Sequence, residues 1–532
     1  STNGGLIVPN QFFIKNSKQQ ASFNAYKFNT KRIVSTIFMI GTSWKNQLFL
    51  DITGRNDWSS ALVYSYGTGN FSYFYPSVSG SWIITETFKD KLPKWVSFAK
   101  VRGSWAQVGN DTSPYYINSG YSVATYQRGD KKIYGMTIPE NMKSTNLKPE
   151  RKNAWEVGLD WRFFDSRIGV DLTYYKENTR NQIMTINVPW ESGVKEKLIN
   201  AGNIQNSGIE IALNTTPIKK KQWQWDLNFT YTRNRNKIVE LSPDVTSYIN
   251  LDGAANYGNY RIASVAKVGS DYGMLMSDSW IKTDEKTGKP VVGYTNKFRT
   301  VYYKRGGTVK EVGSMLPNFL GSLNSTLRWK DLSLYVLFDA RFGGYVASYN
   351  SRYATAYGFS GETEKYRKGM TWTSKYANAQ DKVFTDGFIP NVVFDAGTIV
   401  TTPGGTNQDV SGMTYQEAYE KGYVEPAHLQ SAAYFKNSWG TGVINDDWFK
   451  KINYIALREI TLSYNVPTKI SSYIGAKNLS LSFTGRNLAY LLNTAPNHEN
   501  PESVRGTGAA QFRMRSFMPY TASYLFTLNA TF

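Results

Sequence analysis

The chain has 532 residues and no cysteine, which excludes a disulfide framework, a cysteine zinc site and a thiol nucleophile. Its hydrophobic fraction is 41%, its mean hydropathy is −0.44 and no apolar run approaches the ~18 residues of a membrane helix. That excludes a helical membrane protein and suits a transmembrane barrel, whose strands turn only one face to lipid. The net charge of +20 is scattered along the chain, with Lys219 to Lys221 as the one basic triplet, in an apparent turn; this speaks against nucleic acid and for basic surfaces near anionic lipid or ligand.

The first thirty residues are polar and read as loop, with one candidate strand at 21–28. The opening STNGGLIVPNQFF lacks a basic start followed by an apolar core, so it does not read as a signal peptide. Residues 33–44 and 47–57 then form a hairpin over Lys45-Asn46, placing Leu48, Leu50 and Ile52 together. A second pair, 75–85 and 97–108, groups Ala99, Val101, Gly103 and Trp105. After a polar segment at 110–153 comes the cleanest hairpin. Trp155, Val157, Leu159, Trp161 and Phe163 alternate with polar residues, turn at Asp165-Ser166, and return through Ile168, Val170, Leu172 and Tyr174.

Residues 206–217 and 222–233 repeat the arrangement around the lysine triplet, with Trp223, Trp225, Leu227, Phe229 and Tyr231 on one face. Two weaker strands are expected at 260–268 and 274–282, and a further hairpin at 320–329 and 332–342 turns on Lys330-Asp331. Alternation then fails from Gly343 to Lys451, far beyond the ~12–15 residues of an ordinary loop. We expect this excursion to be functional and extracellular, and a seat of partner contact. Residues 454–466 and 479–491 pair across a Pro467 to Gly475 turn with a helical stub.

The last strand, 520–532, sets Tyr520, Ala522, Tyr524, Phe526, Leu528, Ala530 and Phe532 on one face. That is deep enough for a tilted strand to cross a bilayer. A terminal strand of a soluble sandwich would alternate in the same way. Short and long connections, however, alternate almost throughout, as in outer-membrane barrels with brief periplasmic turns and long extracellular loops. The expected fold is all-β: a transmembrane antiparallel barrel portion of about fifteen strands with long extracellular loops.

Several blocks resemble SusC/RagA-type TonB-dependent transporters: Gly54-Arg55-Asn56-Asp57-Trp58-Ser59-Ser60; Tyr75-Pro76-Ser77-Val78-Ser79-Gly80-Ser81-Trp82; Leu147-Lys148-Pro149-Glu150 with Trp155-Glu156-Val157-Gly158-Leu159; and Asn206-Ser207-Gly208-Ile209-Glu210. The run from Tyr454 through Arg458 and Glu459 to Pro467, then Phe483-Thr484-Gly485-Arg486-Asn487-Leu488 and Asn500-Pro501-Glu502, completes the match. The resemblance implies a 22-strand outer-membrane barrel of a Gram-negative bacterium, an amino-terminal plug reached by TonB, and a SusD-like surface lipoprotein as lid. It also makes Phe532 the carboxy-terminal residue read by the assembly machinery.

By that standard the whole chain, residues 1–532, is the carboxy-terminal part of a barrel. Because an open sheet edge is not tolerated in lipid, plug and first strands are expected from another fragment or chain, with Ser1 on the cell surface. The implied function is import of glycan oligomers, with oligopeptides as the alternative cargo; a secreted glycan-binding or adhesive β protein is the rival class.

Enzymatic chemistry has poor footing. Only His428 and His498 are present, both in long loops; no cofactor is implied, and Asp446-Asp447 is a weak cation candidate. Loop aromatics Trp372, Tyr376, Tyr434, Trp439 and Trp448 are candidates for stacking on ligand or touching the lid, with packing of the loop on itself as the alternative.

Overall fold

A computed structural model describes residues 29–532 except 90, 119, 121, 130, 138, 189, 243–247, 252–260, 362, 364–368, 380, 429–443, 447–448, 505–507, 509–511 and 515–518. The expected strand at 21–28 lies outside them. Thirteen strands form one continuous antiparallel path: β1 (Ile33–Trp44), β2 (Leu48–Ser59), β3 (Ser72–Ile83), β4 (Val96–Asn110), β5 (Glu150–Phe163), β6 (Ile168–Asn187), β7 (Glu196–Lys219), β8 (Trp223–Glu240), β9 (Phe319–Trp329), β10 (Leu332–Ser348), β11 (Phe449–Val466), β12 (Asn478–Asn493) and β13 (Ser523–Thr531). Each pairs with its neighbour in sequence. Two short strands, Asn141–Lys143 and Arg513–Met514, join alongside β7 and β10 and bring the sheet to fifteen.

About fifteen barrel strands are expected from the sequence; the antiparallel wall has thirteen, and the sheet reaches fifteen only with the two short strands that pair in parallel beside it. The strands expected at 260–268 and 274–282 are not part of the wall; they appear as Ile262–Lys267 and Met274–Ser277 in a separate four-stranded sheet with Tyr248–Asn250 and Lys310–Ser314. Val265, Leu275 and Ile262 there are fully buried, and such two-sided burial removes the apolar/polar alternation that marks a wall strand.

The register aligns the alternation across the whole wall. One apolar residue per strand runs from Leu50 through Val78, Trp105, Val157, Tyr174, Ile209, Phe229, Leu323, Leu334, Leu462 and Phe483 to Phe526, all on one face and all exposed. An apolar face that broad has no place in water. From Leu48 to Trp58 it spans about 34 Å of strand, or about 25 Å across at the ~40° tilt usual in such barrels, which matches the lipid-facing band.

The opposite face is hydroxyl, amide and charge, cross-linked strand to strand. Thr53 meets Ser77 at 2.6 Å, Asn228 donates to Asn324 at 2.7 Å, Thr230 meets Ser322 at 2.6 Å, and Ser463 meets Ser482 at 2.8 Å. Gly208 shows how tightly this face is fitted. A Cβ there would lie 2.5 Å from the Tyr175 hydroxyl and 2.7 Å from the Arg233 carbonyl oxygen. Gly208→Ala is therefore expected to cost about 1–3 kcal/mol through overpacking, read as a lower temperature at which the folded barrel loses its compact migration on gels.

Short connections (45–47, 84–95, 164–167, 220–222, 330–331, 467–477) and the long ones fall on opposite ends of the sheet. On the long side the described parts of two excursions, 241–318 and 349–448, fold together as a cap. Val291–Thr295 of the first pairs in parallel with Val393–Phe394 of the second. Their shared core contains Val292, Val301, Phe394, Val400, Val410, Tyr415 and Val424. A helix at Tyr415–Glu420, opened by a Thr414/Glu417 capping box, closes one side of it. The irregular stretch expected from Gly343 begins later: β10 runs to Ser348, and Gly343-Gly344, both at φ +88, make the bulge that carries its end into the cap.

Candidate ligand path and surface cap

On the polar face of β2–β5 an open hollow of about 280 Å³ is lined by Asp51, Ser79, Ser81, Lys100, Arg102, Ser104 and Glu156. Arg102 is held by Asp171 at 3.2 Å, Glu156 at 3.5 Å and the Thr173 hydroxyl at 2.6 Å. Its fork satisfies three acceptors from β5 and β6 and leaves Lys100 and Asp51 to present opposite charges. Such a surface can hydrogen-bond a polar ligand or a polar protein element.

Toward the long side the wall carries a denser network. Arg458 sits at a bulge of β11, between Leu457 and Glu459, where the register with β12 slips, and a bulge re-aims a side chain. Its guanidinium reaches Asp339 of β10 at 2.8 Å and Glu502 of the final loop at 2.6 and 2.7 Å. The Tyr490 hydroxyl donates to Glu502 at 2.9 Å and the Tyr454 hydroxyl at 3.3 Å. Both rings lie about one cation–π distance from Arg458, at 6.0 and 5.6 Å.

Burial alone would raise the Glu502 carboxyl. The hydrogen bonds from Arg458, Tyr490 and Tyr454, with the Arg458 charge, outweigh it and hold Glu502 below the ordinary carboxylate range. Beside it a cleft of about 330 Å³ is lined by Met315, Leu316, Pro317, Arg341, Tyr454, Glu502 and Val504. The final loop thus lies against the polar face and joins three strands to the base of the cap.

The cap holds two of the aromatic candidates. Trp372 stacks on Phe384 at 4.8 Å and donates to Glu425 at 3.4 Å. Tyr376 is buried beneath Arg299, 4.6 Å from its ring, and burial raises its hydroxyl above the ordinary value. Glu425 also accepts from Ser374 Oγ and the Lys375 N–H, so Trp372, on the strand Met370–Thr373, and Tyr376, just after it, belong to one packed unit of the cap. Tyr434, Trp439 and Trp448 lie outside the described residues. His428 pairs through its backbone with Gly387. The Asp446 carboxylate accepts the Ile281 N–H at 2.8 Å, which spends it on joining the two excursions; Asp447 lies outside the described residues.

One surface was missed in the sequence. The segment expected as polar loop at 110–153 contains a hairpin, Ser122–Arg128 with Lys131–Thr137, whose Tyr126, Ile133, Tyr134 and Met136 are exposed, Tyr134 and Met136 by more than 70%. Its signal was the alternation around Gly129-Asp130, hidden by the lysines and arginine at the turn.

A two-faced sheet with short turns at one end and a folded cap at the other defines the wall of an outer-membrane β-barrel. The family model for the TonB dependent receptor-like beta-barrel matches residues 16–345, and this chain belongs to that family, in the outer membrane of a Gram-negative bacterium. TonB-dependent receptor P26 of Formosa agariphila is 23% identical over 487 residues, covering 89% of this chain and 43% of that protein. TonB-dependent receptor SusC of Bacteroides thetaiotaomicron is 27% identical over 270 residues, covering 49% and 26%.

Among solved structures, the RagAB peptide transporter has the same fold, with a TM-score of 0.66 at 16% identity over 97% of this chain and 50% of that one. The chain therefore spans about half or less of the length of these relatives. Those relatives are TonB-dependent receptors and a peptide transporter.

Proposed function

We propose that this chain forms the carboxy-terminal wall and surface cap of a TonB-dependent importer that receives its ligand from a SusD-like lipoprotein. The plug and the remaining wall would come from the other part of the receptor, and TonB would act through that plug. The cap supports the reading best: two excursions with a common hydrophobic core stand over a hydrogen-bonding polar face, a rigid platform above a wet path. The secreted adhesive reading gives way to the outer-membrane location.

Glycan oligomers are our first cargo, because the polar face offers ladders of hydroxyls and amides in place of one dominant charge. Oligopeptides are second; the fold shared with a peptide transporter and the paired charges around Arg102 favour them. Uptake of labelled oligosaccharides and oligopeptides by cells with and without the gene separates the two. Loss of glycan uptake alone is expected; loss of peptide uptake alone would select the alternative, and loss of neither would refute import.

For the lid we propose contacts from the cap and from the exposed 122–137 hairpin, with Tyr434, Trp439 and Trp448 as aromatic candidates for direct contact and Trp372 and Tyr376 as packed rings that support the surface. Phe532 is proposed as the assembly signal. Tyr134→Ser with Met136→Ser is expected to weaken lipoprotein binding about tenfold, measured by co-purification and titration, since exposed apolar side chains of this size are the usual anchors of such contacts.

A further inference from the structure

The short-turn end of the wall has a composition that transport does not explain. Its six connections carry ten lysines and arginines against four acids. Two of the lysines are fixed at the level of the aromatic belt. Lys45 lies 4.7 Å from the ring of Trp44 and Lys330 lies 5.4 Å from that of Trp329. Both tryptophans are exposed on the apolar face, and Trp329 stacks on Trp223 at 5.6 Å. A ring at the lipid boundary with an ammonium held against it matches a phospholipid, acyl chain below and phosphate above.

The 467–477 connection adds a second element. Thr468–Ser471 is helical and continues into the turn Ser472–Ile474, ended by Gly475 at φ +74. Ile470, Tyr473 and Ile474, spaced to share one side, are exposed by 57, 89 and 58%. Lys469 lies next to them, and Lys477 donates to the terminal main-chain oxygen of Phe532 at 3.2 Å. An apolar side so bare at the end of a membrane-spanning wall, with cations beside it, fits a segment seated in the headgroup layer.

We propose that this rim is a binding surface for anionic phospholipid of the periplasmic leaflet. The occupant is lipid, not an acidic protein, because the cations border an apolar belt that already faces the bilayer. An acidic protein would leave the rings and Ile470, Tyr473 and Ile474 without a counterpart.

The test is native mass spectrometry of the full detergent-purified receptor, titrated with phosphatidylglycerol or phosphatidylcholine. Wild type is expected to retain phosphatidylglycerol preferentially, and to lose the preference as salt rises to about 0.5 M. The variant Lys45→Gln, Lys220→Gln, Lys221→Gln, Lys330→Gln is expected to lose at least tenfold in phosphatidylglycerol retention with phosphatidylcholine unchanged. Tyr473→Ser with Ile474→Ser is expected to weaken both lipids.

Equal retention of the two lipids by wild type, or undiminished phosphatidylglycerol on the quadruple variant, would overturn the proposal. Should that variant fail to fold, the salt titration of wild type decides, a preference that survives high salt being the refuting result.

Discussion

Arg458→Ala is expected to release the final loop from the wall without dismantling the barrel. The substitution leaves Asp339 and Glu502 facing each other and removes the donor that held them, while the Tyr454 and Tyr490 hydroxyls can satisfy only part of what remains. A fully buried pair so broken costs about 3–5 kcal/mol and an exposed one about 0–1 kcal/mol. The side chains of Arg458, Asp339 and Glu502 are 20, 36 and 41% exposed, so the cost falls between, at about 2 kcal/mol. The strand ladders of β11 with β10 and β12 do not depend on it.

Faster hydrogen exchange and protease cleavage in 494–504, with unchanged compact migration of the barrel, are the expected readouts. Arg458→Lys should rescue only in part, since one ammonium cannot reproduce two forked contacts. If Arg458→Ala and Glu502→Ala prove additive in a double-mutant cycle, the network does not hold the loop.

The same network shows what the sequence could reveal. Tyr454 to Pro467 and Asn500-Pro501-Glu502 stood out as separate blocks of a family resemblance, and the wall around them was legible because period-two alternation is a local property. That Arg458 and Glu502 meet, 44 residues apart, depends on a bulge, which breaks the period used to read the strand. Leu147 behaves alike. Its block was visible, but its full burial among Leu62, Tyr64, Tyr73, Ile117 and Leu198 joins five distant segments.

The cap was opaque for another reason. Phe394, Val400, Val410 and Tyr415 are fully buried, so no half-buried alternation marked them, and their part of a folded unit read as a hundred-residue irregularity. Trp372 and Tyr376 attracted notice because no alternation explained them; the short strand Met370–Thr373, which sets Trp372 opposite Phe384, and the contacts of Glu425 do.

Three residues before Glu502, the same loop carries an acid with the opposite tendency, and raising the pH is expected to loosen its hold. Glu499 is only 7% exposed. Burial pushes its carboxyl up to about 7, against a weaker lowering by the hydrogen bond from Ser348. That serine donates to Glu499 at 3.2 Å and accepts the Ser351 N–H at 3.0 Å as the cap of the helix at Tyr349–Ala356. Asn493 ties the Glu499 carbonyl at 2.9 Å, so the side chain cannot leave for water without moving the loop.

A carboxyl whose folded pKa is raised favours the folded state fully below its unfolded value, 4.5, and loses that contribution as pH climbs through about 7. The difference is on the order of 3 kcal/mol at most. Glu502, held low, acts in the other sense: its contribution is present above 4.5 and lost only at lower pH. Between pH 5 and 7.5 the balance therefore follows Glu499. Amide exchange in 494–504, corrected for its intrinsic pH dependence, should show protection falling about tenfold or more across that interval. Glu499→Gln should flatten the profile, since a neutral amide keeps an acceptor for Ser348 and no longer titrates. His498→Gln, which changes the neighbouring ring that contacts the Asn493 carbonyl at 3.2 Å, should leave the slope in place; if it alone removes the slope, the buried carboxyl is not its source.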